Sequence, residues 1–600
     1  MNPLRTRSVL LITGLVALVA SMVPVANASA ASATAQLVPG LESLNQGSNA
    51  NVLSISCPSA GNCVAGGYYS GAGSFPDQFA FVVDEVNGVW GSAQEVAGAL
   101  NVATYAAVNS VSCSSAGNCV AGGQYKSAAN DVQAFLVDEV HGTWRSAQEV
   151  AGSLNTGHSA AVLSVSCPSD GNCAAGGYYK DGYPYYSDQA FVVDEVNGVW
   201  GSAQEVAGNL NSLNGGGNAA VHSISCSSGG NCAAAGYYVD GSGNYQAFVA
   251  NEVNRAWQGA QEVAGNLNGP NGGGNASVES VSCPSDGNCA AAGYYVDGSD
   301  NTQAFVANEV NGAWQGAQEV AGTLNTGGEA GVNSVSCPSA GNCVAGGSYV
   351  DGSGSTQAFV VNEVNGVWGS AQGVATNLNV GALAWVNSVS CSSDGNCEAG
   401  GSYTANAANS LPQSFSVTES AGTWGSASSV PGLSSLTTGV NQGSQLYAVS
   451  CPTNGTCAAG GAVGNAQEGG VEGQAWVLGS QSTQVAPPLD VTAVRGVSWL
   501  RATWSASPGV RGYQCTLLTG IGAPSSFVER TTTSSCTFLG LDRTTAYGVE
   551  VAALAATGRS TPVSAWPAPN KVVCVRAGRR FTRVGVYPVC PARFRTISSN

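Results

Sequence analysis

Charge is scarce in this chain, and basic charge scarcer still. Asp, Glu, Lys and Arg together make up 9% of its 600 residues. Between residues 31 and 485 the only basic side chains are Lys126, Arg145, Lys180 and Arg255, against 32 acids, a net of −28. Such a field disfavours nucleic acid and anionic lipid as partners, and it also keeps a protein soluble. Histidine is limited to His141, His158 and His222. None sits in a GxSxG or HExxH context, so serine and zinc hydrolysis have no support in the sequence. Past the first thirty residues no stretch is apolar enough to span a bilayer, and no run within the repeats described below is long enough for a typical helix.

What is present is a period. The stretch SISCPSAGNCVAGGYY (residues 54–69) holds Cys57 and Cys63, and the pair returns as Cys113/Cys119, Cys167/Cys173, Cys226/Cys232, Cys283/Cys289, Cys337/Cys343, Cys391/Cys397 and Cys451/Cys457. Successive first cysteines lie 54 to 60 residues apart. Each period offers four short apolar or alternating runs. In the third period these are 162–167, 173–179, QAFVVDEV (189–196) and VWGSAQEV (199–206). The Asn197-Gly198 dipeptide between the last two suits a two-residue hairpin. Four strands per period predict a β-propeller blade.

The two ends of the array set the blade number. Seven periods end in a Trp-bearing fourth strand (Trp90, Trp144, Trp200, Trp257, Trp314, Trp368, Trp424), whereas the eighth stops after QAWVLGS (474–480). The missing strand is expected at the other end, where QLVPGLESLN (36–45) matches SVPGLSSL (429–436). The fold class expected is therefore all-β: an eight-bladed propeller over residues 31–480 in which the N-terminal strand completes the last blade and removes an open edge.

Arg5 and Arg7, the apolar run 9–20 and Ala-x-Ala at 26–28 and 28–30 read as a signal peptide over residues 1–30. A secreted, extracellular destination suits twenty cysteines, an even number. Disulfides are favoured over zinc, because one CxxxxxC per period lacks further ligands. Each short loop so closed contributes about 2 kcal/mol in the chain-entropy model.

The period SCPSxGNCxAGG, followed by QAF and NGxW, resembles the cysteine-paired propeller repeats of secreted actinobacterial proteins, a resemblance over residues 34–480 that implies fold and location alone. After a polar, proline-stiffened linker (481–488), residues 489–568 resemble a fibronectin type III domain, with Trp504, Tyr513, Leu541 and Tyr547 in order. That resemblance implies a tyrosine corner at Tyr547 and a cross-sheet disulfide between Cys515 and Cys536. The tail 569–600 resembles the basic tails behind surface domains of secreted actinobacterial proteins. A hairpin closed by Cys574 and Cys590 is expected there, and its arginines suit attachment to an anionic cell-wall polymer.

Function is sought on loops. The first-to-second and third-to-fourth turns hardly vary, while the second-to-third and fourth-to-first connections do, and in a propeller these open on the other face. That face carries Tyr183, Tyr185, Tyr186 and Tyr245, with Asp181, Asp240, Asp297 and Asp351 at loop starts. Tyrosine with Asp suits stacking on a sugar or gripping a protein partner, although Asp-Gly is first a turn former. The DGSGN and DGSDN loops suggest calcium weakly, lacking the closing Glu of a calcium loop; no other cofactor or metal is expected. The repeated Trp reads as packing between blades, and Glu95, Glu149, Glu205, Glu262 and Glu319 as a solvated face. No catalytic residue stands out. The rival to a binding module is a glycoside hydrolase, yet sialidases hold their substrate with three arginines and this ring has two, Arg145 and Arg255. The expectation is a monomeric, surface-associated module that binds extracellular glycan or protein.

Overall fold

The computed structural model describes residues 34–599 apart from a series of short stretches, the longest being 211–216, 268–273, 406–410, 481–487, 555–562 and 586–594. The signal peptide, most of the linker, Tyr185 and Cys590 lie outside the described residues. Among the described residues no helix is long and apolar enough to cross a membrane. The chain divides into two units, residues 32–484 and the part from 485 onward, set out separately below.

In the first unit every period forms one antiparallel sheet. In the first period β1 of the sheet (Ala50–Ser59), β2 (Asn62–Ser70) and β3 (Gln78–Val86) pair in sequence order, and two short strands, β4 (Val89–Trp90) and β5 (Gln94–Glu95), both pair with β3. The fourth strand is thus interrupted, a departure from the continuous run read from the sequence. Asn87 and Gly88, at φ 52° and 80°, make the tight turn between β3 and β4. Eight such sheets are found. The eighth (Gln442–Ser450, Ala458–Gln467, Gly470–Leu478) is completed by Gln36–Leu37, which pair with Val477 and Trp476. Asn45 adds a side-chain bond to the Gly473 carbonyl at 2.9 Å.

The repeated residues show why the sheets stack. In the AGG or AAG of each second strand, the last glycine lies against its neighbour's backbone: a Cβ on Gly67 would stand 1.8 Å from the Asn51 carbonyl oxygen, and one on Gly177 would stand 1.9 Å from that of Ala161. The approach coincides with a β-bulge in the first strand, between Val52 and Ser54 in the first sheet and between Val162 and Ser164 in the third. Beyond the bulge, the two serines of each SxS accept backbone N–H bonds from the next sheet. Ser54 and Ser56 accept from Val111 and Cys113 at 3.0 Å, and the pattern runs round to Ser388 and Ser390, which accept from Val449 and Cys451. Ser450 then accepts from Cys57 at 2.9 Å, which joins the eighth sheet to the first. Ala50, Val52, Ala448, Ala458, Ala475 and Val477 share one apolar core across that seam.

Six of the seven repeated indoles also bond across a sheet boundary, Trp90 being the exception. Trp144, Trp200 and Trp257 donate Nε1–H to Asp84, Asp138 and Asp194, and Trp314, Trp368 and Trp424 to Asn251, Asn308 and Asn362. The repeated Trp is interblade packing, as expected. The short-loop cysteines are disulfide-bonded in every period, in the pairs read from the sequence: Cys57–Cys63, Cys113–Cys119, Cys167–Cys173 and Cys226–Cys232 in the first four sheets. Cys283–Cys289, Cys337–Cys343, Cys391–Cys397 and Cys451–Cys457 follow in the last four. Each bond ties the end of a first strand to the start of the second, across the turn that joins them. This is a repeated, propeller-like all-β architecture.

The second unit has one three-stranded sheet (Leu489–Arg495, Trp499–Ser505, Ser535–Leu539) and one four-stranded sheet, ordered Ala523–Thr531, Gly512–Thr519, Tyr547–Leu554, Val563–Ala565. Cys515 and Cys536 bridge the two sheets. Trp504 and Tyr513 meet edge-on in the core, ring centroids 5.0 Å apart, and the Arg495 guanidinium lies 5.0 Å from the Tyr547 ring. The basic tail is a three-stranded sheet (Arg579–Gly585, Asn570–Arg576, Arg595–Ser599), one strand more than a hairpin. The expected Cys574–Cys590 pair falls outside the described residues.

Candidate functional site

The long connections carry the residues singled out from the sequence, and the structure separates their roles. Tyr183 is 87% exposed, Tyr186 52% and Tyr245 38%. The aspartates are occupied with their own loops. Asp240 accepts from the backbone N–H of Ser242 and Asn244 and from the Gln246 side chain. Asp297 does the same with Ser299, Asn301 and Gln303, and Asp351 with Ser353, Ser355 and Gln357. Asp181 accepts from Ser187 N–H at 2.7 Å. Hydrogen bonds from the Ser353 hydroxyl and the Ser355 amide hold the Asp351 carboxyl down to about 2. At Asp240 and Asp297 burial pushes upward, but the surrounding donors outweigh it and the carboxyls stay below their usual range. These oxygens face N–H donors, the surroundings of a turn and the opposite of those of a cation.

The glutamates read as a solvated face are not free. Tyr69, Tyr125, Tyr238 and Tyr295 donate their hydroxyls to Glu95, Glu149, Glu262 and Glu319 at 2.5 to 3.0 Å. These four tyrosines are thus buried in the core and tied to the outer edge of their own sheets. The residue before each, Tyr68, Gln124, Tyr237 or Tyr294, lies on the other face, towards the long-loop end of the first strands.

There a cluster appears that sequence reasoning missed. The bulge residues of the eight inner strands are Leu53, Asn109, Leu163, His222, Glu279, Asn333, Asn387 and Tyr447. His222 Nδ1 stands 3.3 Å from Glu279 Oε2, both side chains partly open to solvent. The Tyr237 ring lies edge-on to His222 at 5.2 Å and 4.9 Å from the Tyr245 ring. Burial, then the charges of Asp188, Tyr245, Tyr178 and Tyr294, push the Tyr237 hydroxyl up to about 12, so all of these sit within electrostatic reach of it. Burial alone would raise Glu279, but hydrogen bonding and charge from His222 and a bond from Ser277 hold it below the usual range, hence ionised. The signal in the sequence was the one position in the period where Leu, Asn, His, Glu and Tyr alternate.

On the opposite face, two equivalent cavities of about 270 and 350 Å³ lie between the fifth and sixth and between the sixth and seventh sheets, lined by corresponding residues such as Pro284/Pro338, Asn288/Asn342 and Glu309/Glu363. Disulfide cysteines of these sheets, Cys289, Cys337, Cys343 and Cys397, form part of the walls. Beneath the cavities the buried glutamates meet the preceding sheet. Asn251, Asn308 and Asn362 donate Nδ2–H to Glu309, Glu363 and Glu419. In the earlier periods Asp takes the place of Asn, and burial followed by the charges of Asp84, Asp138 and Asp194 pushes Glu139, Glu195 and Glu252 up to about 7.

No protein-family model matches this chain, and no curated protein matches it. Solved structures do. The FN5 domain of Drosophila Lar is 26% identical over 14% of this chain and 97% of its own length, with a TM-score of 0.12. A Hadza microbial sialidase is 9% identical, over 72% of this chain and 94% of that one, TM-score 0.34. Trypanosoma rangeli sialidase in complex with the inhibitor DANA is 11% identical, over 84% and 89%, TM-score 0.30. An ulvan lyase of a polysaccharide lyase family is 9% identical, over 75% and 89%, TM-score 0.29.

Proposed function

We propose that the chain is a secreted, surface-associated binding module: an eight-bladed propeller that recognises extracellular glycan with its long-loop face, followed by a fibronectin type III-like sandwich and a basic tail that holds to anionic wall polymer. The observation that carries the reading is the exposure of Tyr183 and Tyr186 on a long connection, and of Tyr245 where the next one enters its strand, over a scaffold repeated almost unchanged. Exposed aromatic faces stack on sugar rings. Binding is favoured over hydrolysis because the carboxylate pairs present, such as Asp138 and Glu195, are buried at sheet boundaries and recur from period to period, where no substrate reaches both. The test is the full mature chain on a glycan array beside Tyr183→Ala and Tyr245→Ala. Loss of signal in the variants supports the face; undiminished binding, or release of reducing sugar from polysaccharide by the wild type, sinks the reading.

A further inference from the structure

The bulge position is where the repeat departs from itself. In three sheets its residue bonds to the next sheet. Asn109, Asn333 and Asn387 donate Nδ2–H to the carbonyls of Val162, Val386 and Leu446 at 2.8, 2.8 and 2.6 Å. Leu53 and Leu163 are apolar. Five of the eight sheets carry Asn or Leu here and the eighth carries Tyr447, none of them ionised, whereas the fourth and fifth place His222 against Glu279. The Tyr237 ring lies 5.2 Å from His222 and 4.9 Å from the Tyr245 ring, and the charge of Glu279 reaches Tyr294 of its own sheet. Gly331 stands beside Tyr294, and a Cβ added to it would meet only the Tyr294 Cβ, at 3.7 Å.

Glu279 shares its carboxylate with His222 at 3.3 Å and stands near tyrosines in a unit of net charge −28; aromatic faces and such a field both attract positive charge and repel an anion. A neutral sugar has no need of the ionised group. We infer that Glu279, with Tyr237, Tyr245 and Tyr294, forms a subsite for an organic ammonium group, carried by an unacetylated amino sugar. The ammonium subsite stands on this geometry, while the choice of a sugar as carrier rests on the glycan reading above.

The experiment titrates the full mature protein by calorimetry with a fully deacetylated glucosamine tetramer, with its N-acetylated counterpart, and with tetramethylammonium chloride alone. Glu279→Gln removes the charge and keeps the shape; Glu279→Asn installs the residue the repeat itself carries at 333 and 387. The deacetylated tetramer should bind at least tenfold more tightly than the acetylated one, both variants should erase the difference, and tetramethylammonium should bind the wild type alone. Equal affinity for the two tetramers, or variants that bind like the wild type, overturns the ammonium subsite and leaves glycan recognition standing. Tetramethylammonium binding that Glu279→Gln abolishes, with neither tetramer bound, supports the subsite and rejects the amino sugar as its carrier. No binding of any probe overturns both.

Discussion

Three of the sheet boundaries set two carboxyl groups together where three others set an amide against a carboxyl, and the contrast is a controlled experiment within one chain. Glu139, Glu195 and Glu252 are 4 to 5% exposed and titrate near 7, against an ordinary value of 4.5. Between those values the folded chain holds protons that the unfolded chain has released. Stability therefore falls as pH rises from about 4.5 through 7, and the contribution is gone above that window. The displacement amounts to about 3 kcal/mol per glutamate. Burial is its first cause and would persist, so removing the neighbouring aspartate charge should recover on the order of 1 kcal/mol at each boundary. The perturbation is Asp84→Asn, Asp138→Asn and Asp194→Asn together. The new amide keeps an oxygen for the indole, as Asn251 does for Trp314 at 3.0 Å, and offers the glutamate the donor that Asn251 gives Glu309. At pH 9 the triple variant should gain about 3 kcal/mol, which for a unit of this size raises the melting temperature by roughly 3 °C. At pH 5, where the glutamates carry protons in either protein, the gain should be much smaller. Calorimetric melting between pH 5 and 9 reads both. Parallel profiles for wild type and variant would refute the claim that these carboxylates oppose each other.

Two further outcomes follow from contacts already described. Gly123→Ala, whose Cβ would stand 1.9 Å from the Ala107 carbonyl oxygen, should cost about 3 kcal/mol or prevent folding, whereas Gly176→Ala, at the position Ala235 and Ala292 fill in neighbouring sheets, should cost no more than about 1 kcal/mol, as read by denaturant melts. Replacing Cys515 and Cys536 by Ala should lower the melting of the second unit by the equivalent of about 3 kcal/mol while the transition of the first unit stays in place.

The fold was legible because repetition multiplies weak signals. One CxxxxxC hairpin says little, but eight of them at a near-constant interval give sheet count, strand order and cysteine pairing, and the unmatched strand at each end of the array gives Gln36–Leu37 its partner beside Val477 and Trp476. The latches between sheets were not legible, since a serine's hydroxyl looks the same whether it faces water or the amide of a residue some 55 positions on, as Ser110 does with Val165. The partners of Glu95 and its counterparts were hidden for a related reason. They are exposed, as read, but the Tyr69 hydroxyl reaches Glu95 at 3.0 Å across the sheet, and only register shows it.

The same repetition separates the aspartates of the DG loops from the bulge residues. Asp240, Asp297 and Asp351 recur with the same three kinds of donor around each, so one local purpose, closing the loop, accounts for all of them. Eight copies of a scaffold need eight copies of whatever holds it up, and a residue that appears once has been released from that duty. His222 and Glu279 are such residues: they face each other across a boundary where other boundaries place an amide on a carbonyl, the Tyr237 ring lies against His222, and the charge of Glu279 reaches Tyr294. Had those tyrosines recurred in all eight periods they would read as packing; Gln124, Ser348 and Ser402 at the same position in other sheets show that the packing does not require them.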